Sequence, residues 1–108
     1  MTYRNRKLLD LAHEIPCQAQ FKHECTGLYV QDNGKYLCVP GHSNNQIFGR
    51  GGWHKCPDNF FAALCPPAHD AIDGRSGDMD RETKAAEWLR AFIATQTHLW
   101  ESGKLRVA

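Results

Sequence analysis

His69 and Asp73 stand four residues apart in Cys65-Pro66-Pro67-Ala68-His69-Asp70-Ala71-Ile72-Asp73, a spacing that stacks both side chains on one face of a helix. An imidazole and a carboxylate so placed form a ligand pair suited to Mg²⁺, Mn²⁺, Ni²⁺ or Zn²⁺, with coordination positions left for water. Upstream, His42 follows Pro40-Gly41 at the end of an expected strand, where a fixed imidazole titrating near neutrality can act as a general base. Asn44, Asn45 and Asn59 are the candidates to orient it. In phosphodiester cleavage the cation neutralises transition-state charge and stabilises the leaving 3′ oxygen while the base activates water. Strand, loop and helix carrying these groups point to a nuclease. Against that, the chain has six histidines, and a four-residue His-to-Asp spacing also arises by chance on helix surfaces.

The thiols are the second chemical signal. Cys17, Cys25, Cys38, Cys56 and Cys65 make an odd count without an export signal, which favours metal binding or free thiols over a disulfide framework. Cys17, Cys25 and Cys65 need one more ligand to close a tetrahedral structural zinc site, and Cys56, Cys38 and His23 are available. Burial as small apolar side chains is the alternative. Arg4, Arg6, Lys7, Arg50, Lys55, Arg75 and Arg81 flank the proposed site and its loop; cations of this kind grip phosphates, or simply solvate a surface. Arg50, Lys55 and Arg75 are the candidates for substrate contact. Trp53 could stack on a base or pin its loop to the core.

These groups need elements to position them. Leu8, Leu11, Ala12 and Ile15 form an apolar stripe on a short N-terminal helix that Pro16 closes. Tyr29–Asp32 and Lys35–Val39 flank Asn33-Gly34, the signature of a β-hairpin closed by a type I′ turn. Its second strand would run on to His42. Residues 43–57, with three glycines and little periodicity, read as a mobile surface loop. Asn59–Leu64 reads as a strand, and the two prolines after it suit the first turn of a helix ending near Gly74. Residues 80–101 carry Ala85, Trp88, Leu89, Phe92, Ile93, Gln96, Leu99 and Trp100 at helical spacing, with Asp78 or Asp80 as cap and both tryptophans in the core.

Composition sets bounds. At 108 residues and 42% hydrophobic content the chain fits one domain, residues 1–108. Its apolar runs are far short of the roughly 20 residues that span a bilayer, so no membrane partner and a cytoplasmic location are expected. A net charge of +1 leaves DNA contact to local clusters.

Several motifs act together: Cys17 and Cys25 followed by Thr26-Gly27, His42, Lys55-Cys56-Pro57-Asp58, Cys65, His69-Asp70, Ile72-Asp73 and Arg75, then Thr95-Gln96, Trp100 and Gly103. In combination they resemble the small phage and prophage nucleases of the YbcO-like family in the HNH, or ββα-metal, superfamily. The resemblance implies a small α+β, treble-clef-like domain: a helical arm (1–16), a ββα-metal core (17–77) and a C-terminal helix with its tail (78–108). It implies a metal-dependent endonuclease acting on duplex or branched DNA in phage recombination or processing, in the host cytoplasm; separately, a homodimer could make paired cuts, with the Trp100 end of the helix as its hint of an interface. His42 would be the base, helped by Asn59 or Asn44; His69 and Asp73 would hold the catalytic cation; Cys17, Cys25, Cys65 and Cys56 would hold structural zinc. Two positions depart from the pattern. Gly41 stands where many relatives place a further metal ligand, so His54, Asp70 or water must complete the shell, and Ala68 replaces the second cysteine of a CxxCH segment. The alternatives are a zinc-binding nucleic-acid module without catalysis and a phage accessory protein that binds other proteins.

Overall fold

A computed structural model describes residues 4–42, 57–73 and 79–107. Helix α1, Arg6–Asp10, starts at Asn5, whose backbone is extended and whose side-chain Oδ1 accepts the Leu8 N–H at 3.1 Å; such a cap is worth about 1 kcal/mol. The chain tightens into a 3₁₀ turn, Leu11–Glu14, and stops at Ile15, which is extended at φ −124°, ψ 135° because Pro16 excludes the helical conformation from the residue before it. Leu8, Ala12 and Ile15 are buried as the apolar stripe requires.

The Asn33-Gly34 turn forms where expected, but not as a type I′ turn between two strands. Only Gly34 among these residues has positive φ, at +80°. Its N–H donates to Gln31 O at 2.9 Å, and Gln31 N–H donates to Lys35 O at 2.8 Å. This is a three-residue loop ending in a left-handed glycine. Pairing beyond it is a single Val30–Tyr36 bridge, since the Tyr36 N–H turns away to His13 O at 2.8 Å.

The ordered sheet lies further along the chain. Strand β1, Val39–His42, pairs antiparallel with β2, Phe61–Leu64, in the register Val39–Leu64, Pro40–Ala63, Gly41–Ala62, His42–Phe61. Pro40 lacks an N–H, and the sheet tolerates it because Ala63 turns its own polar groups away from β1. Ala63 N–H donates to Thr95 Oγ1 at 3.0 Å and Ala63 O accepts Gln18 N–H at 2.9 Å.

All four β2 residues are buried, and their alternation divides the core. Ala62 and Leu64 join Cys17, Cys38, Cys65, Ala68, Trp88 and Ala91; Phe61 and Ala63 join Leu8, Ala12, Ile15 and Leu99, as period-two side-chain direction demands.

Helix α2, Pro66–Asp73, begins with its prolines where helical N–H groups lack partners anyway, and its first bond runs from His69 N–H to Cys65 O at 2.9 Å. Helix α3, Arg81–Glu101, starts at Asp80, whose Oδ1 accepts Thr83 N–H at 2.7 Å. It closes at Gly103, in the left-handed region, with Leu105 N–H returning to Leu99 O at 3.1 Å. The buried stripe of α3 is Trp88, Ala91, Thr95 and Leu99. Trp100, expected in the core, is 50% exposed, and Ile93 is 56% exposed, because their positions fall outside that stripe. Among the described residues no helix is long and apolar enough to cross a membrane.

Candidate metal centre and active site

The sharpest constellation is Cys17, His23, Cys25 and Cys65, whose ligand atoms all lie within 4.8 Å of one another. The site draws on three stretches: the extended segment after Pro16, the turn around His23, and the junction of β2 with α2. Local bonds hold each part. Cys17 N–H donates to Gly27 O at 2.8 Å, Cys25 N–H to His23 O at 2.9 Å, and Cys65 N–H to Cys17 Sγ at 3.4 Å. Gly27 is obligatory here, since a Cβ on it would lie 2.7 Å from Cys38 Sγ, 2.9 Å from Cys65 Cβ and 3.0 Å from Cys17 Cβ.

The donor set fits a metal ion. Tetrahedral zinc, with bonds of about 2.0–2.3 Å, places its ligand atoms roughly 3.5–3.8 Å apart, and Cys17 Sγ and His23 Nε2 are already at 3.7 Å. His23 Nδ1 bonds Phe21 O at 2.8 Å. A carbonyl fixes Nδ1 as the protonated nitrogen and leaves the Nε2 lone pair facing the thiols, the usual outer support of a ligating histidine.

The thiols differ in acidity. Cys17 is lowered to about 4, first by the Cys38 thiol hydrogen-bonding to it and then, against the cost of burial, by the Cys65 and Ala19 N–H groups and His23. Cys25 is pushed up to about 11 by burial and by the charge on Cys17. Cys38 is also raised, by its bond to Cys17 and by burial. Cys17 is thus readily a thiolate, whereas at Cys25 a bound cation must bring about the ionisation, with release of a proton. Cys38 also contacts Gly27 O at 3.7 Å, so it supports Cys17 from behind.

His42 is the last residue of β1, as expected for the proposed base. Its side chain is 31% exposed, while Nε2 is buried without a hydrogen-bond partner among the described residues. Nε2 lies 4.0 Å from Asp58 Oδ1. Burial lowers the imidazole's pKa, with Asp58 opposing the shift. The Trp88 indole N–H donates to Gly41 O at 2.9 Å and so ties this strand end to α3.

On α2, His69 lies beside the same strand end. A Cβ at Gly41 would meet His69 Cδ2 at 3.2 Å and Leu64 Cδ1 at 2.8 Å. The space that a side chain at position 41 would take is therefore filled by these neighbouring side chains. His69 and Asp73 share α2 at four-residue spacing, but among the described residues the Cys₃His group is the one set of three or more possible ligands brought together.

Asn59 is exposed in the turn before β2, where its carbonyl accepts from Gln96 Nε2 at 3.4 Å. Arg4, a candidate for phosphate, is bonded to Asp58 at 3.0 Å, and Arg6 pairs with Asp10 at 3.4 Å. Asn44, Asn45, Arg50, Trp53, His54, Lys55, Cys56, Gly74, Arg75 and Asp78 lie outside the described residues, as does most of the loop expected over residues 43–57.

Two residues deserve more weight than the motifs alone assign them. His23 completes the cysteine set, and the close His23-x-Cys25 spacing is the signal that favours it. Asp58 is the carboxylate beside His42, and nothing in its spacing marks it.

No protein-family model matches the chain, and no curated protein matches it. A solved structure from Escherichia coli K-12 substrain MG1655, described as a "putative bacteriophage protein", is similar at TM-score 0.59 and 21% identity, over 87% of this chain and 96% of that one. At that identity the likeness shows a shared fold and no more; the two-stranded antiparallel sheet and the Cys₃His group able to hold a metal ion are described for this chain.

Proposed function

We propose that the chain is a metal-dependent DNA endonuclease of the HNH type, with structural zinc at Cys17, His23, Cys25 and Cys65. One observation carries the reading. The order β1, β2, α2 brings His42 at the end of β1 beside His69 on the helix after β2, with the His69 ring against Gly41. The description of the similar structure as a bacteriophage protein supports a place in phage DNA recombination or processing.

A divalent ion held by His69 and Asp73 would supply charge neutralisation on the scissile phosphate and on the leaving 3′ oxygen. His42 takes a proton from water as the water oxygen attacks phosphorus. The P–O3′ bond breaks, and the 3′ oxygen leaves with that electron pair and is protonated by solvent. Arg50, Lys55 and Arg75 are assigned to the phosphates on either side.

The test is cleavage of plasmid and branched DNA with Mg²⁺, Mn²⁺, Ni²⁺ or Zn²⁺. His42→Ala should keep metal affinity and lose cleavage, whereas His69→Ala should lose both. Equal loss of metal in the two variants would overturn the assignment of roles. A second reading, a zinc-held nucleic-acid-binding module without catalysis, is favoured by the ligand atoms converging at the cysteines rather than at His69 and Asp73. One zinc per chain with no cleavage under any of the four cations would establish it.

A further inference from the structure

Asp58 is buried to 5% exposure, yet it belongs to neither the metal centre nor the proposed ligand pair. The N-terminal arm holds it from two sides: Asn5 N–H donates to Oδ2, and Arg4 Nη1 lies 3.0 Å from Oδ1. The same Oδ1 is 4.0 Å from the buried Nε2 of His42, which has no hydrogen-bond partner among the described residues. A buried imidazole nitrogen without a partner is costly, and the nearest charged acceptor is already fixed in place. Nε2 is thus a buried nitrogen on a side chain that is 31% exposed as a whole.

We infer that Asp58 is the positioning residue for His42: it accepts the Nε2 proton, so that Nδ1 presents its lone pair to the attacking water. This deepens the nuclease reading and rests on it. The gap of 4.0 Å exceeds a hydrogen bond, but such contacts are often long before substrate binds and tighten in the complex. When Nδ1 takes the proton of water the ring becomes a cation, and the carboxylate offsets the new charge. Asn44, Asn45 and Asn59 are then unnecessary for this role.

The test joins ¹⁵N NMR of the His42 ring in the full-length, metal-loaded protein to cleavage kinetics. The wild type should show the Nε2–H tautomer in the neutral ring. Asp58→Ala should give a tautomer mixture and a kcat lower by about 10–100-fold, with KM for DNA within about twofold. Asp58→Asn, which keeps an acceptor oxygen, should recover part of the tautomer preference and part of the rate. Thr95→Val strands the buried Ala63 N–H without touching Asp58 or His42, and should leave tautomer and rate within about threefold. An unchanged tautomer in Asp58→Ala, or an equal loss in Thr95→Val, would overturn the inference. An Asp58-dependent tautomer in a wild-type protein that cuts no DNA would support the positioning and remove the nuclease reading.

Discussion

The two ends of the β1–β2 sheet carry different kinds of chemistry. At the Val39–Leu64 end the chain passes straight into Cys65, and four ligand atoms converge within 4.8 Å around buried sulfurs. At the His42–Phe61 end one imidazole stands partly exposed, with a carboxylate 4.0 Å away. The first arrangement is the closed kind that a structural metal requires; the second is where the proposed function puts cleavage. On that proposal stability and chemistry are separated along strands four residues long.

The largest break in this comparison should come at the closed end. Cys65→Ser, or chelation of the metal, should cost a major part of a stability that for a domain of this size is on the order of 5–15 kcal/mol. Thermal unfolding with and without chelator reads it. At the open end the expectation is reversed: His42→Ala should lower cleavage by about 10²–10⁴-fold with the unfolding midpoint and zinc content unchanged. A midpoint that falls with the rate would erase the distinction.

Between the two ends, α3 fastens β2 through Thr95, whose hydroxyl accepts from Ala63 N–H and donates to Ala91 O at 2.7 Å. Thr95→Val keeps the volume and strands the buried Ala63 N–H, at a cost of about 1–3 kcal/mol, measurable by denaturant unfolding. The smallest effect is electrostatic. Burial would raise the pKa of Asp58, but the Asn5 N–H and Arg4 outweigh it and hold the carboxyl below its usual value. A lowered folded pKa gives stability that is present above the unfolded value, near 3.8, and lost as pH falls through the folded one. The stability difference between wild type and Asp58→Asn should therefore be constant at neutral pH and shrink below about pH 4. Paired urea titrations would show it.

Much of this frame is legible in the chain before any coordinates. The apolar run Phe61–Leu64, the two prolines after Cys65 and the α3 periodicity each follow from local rules. The hairpin is half legible. Asn33-Gly34 fixes the turn, but the strand beyond it finds its partner in β2, some 20 residues downstream, and no local preference encodes that choice. Trp100 shows a similar limit: it is one position from Leu99, about 100° round the helix, and so lies half outside. At the metal centre three cysteines are apparent, but the choice of His23 among the open candidates depends on how the segment between Cys17 and Cys25 bends. Asp58 is the least legible, because its meaning comes from His42 and Arg4, 16 and 54 positions away.

The central claim, that one end of the sheet holds a structural metal while the other does chemistry, is tested most directly by single-turnover cleavage of branched DNA. The zinc-loaded wild type and His42→Ala are compared as Mg²⁺ is added. The account predicts cleavage that rises with added Mg²⁺ in the wild type, is abolished in the variant, and leaves bound zinc constant in both. Equal cleavage by the variant, or none by the wild type under any of the four cations, would contradict it.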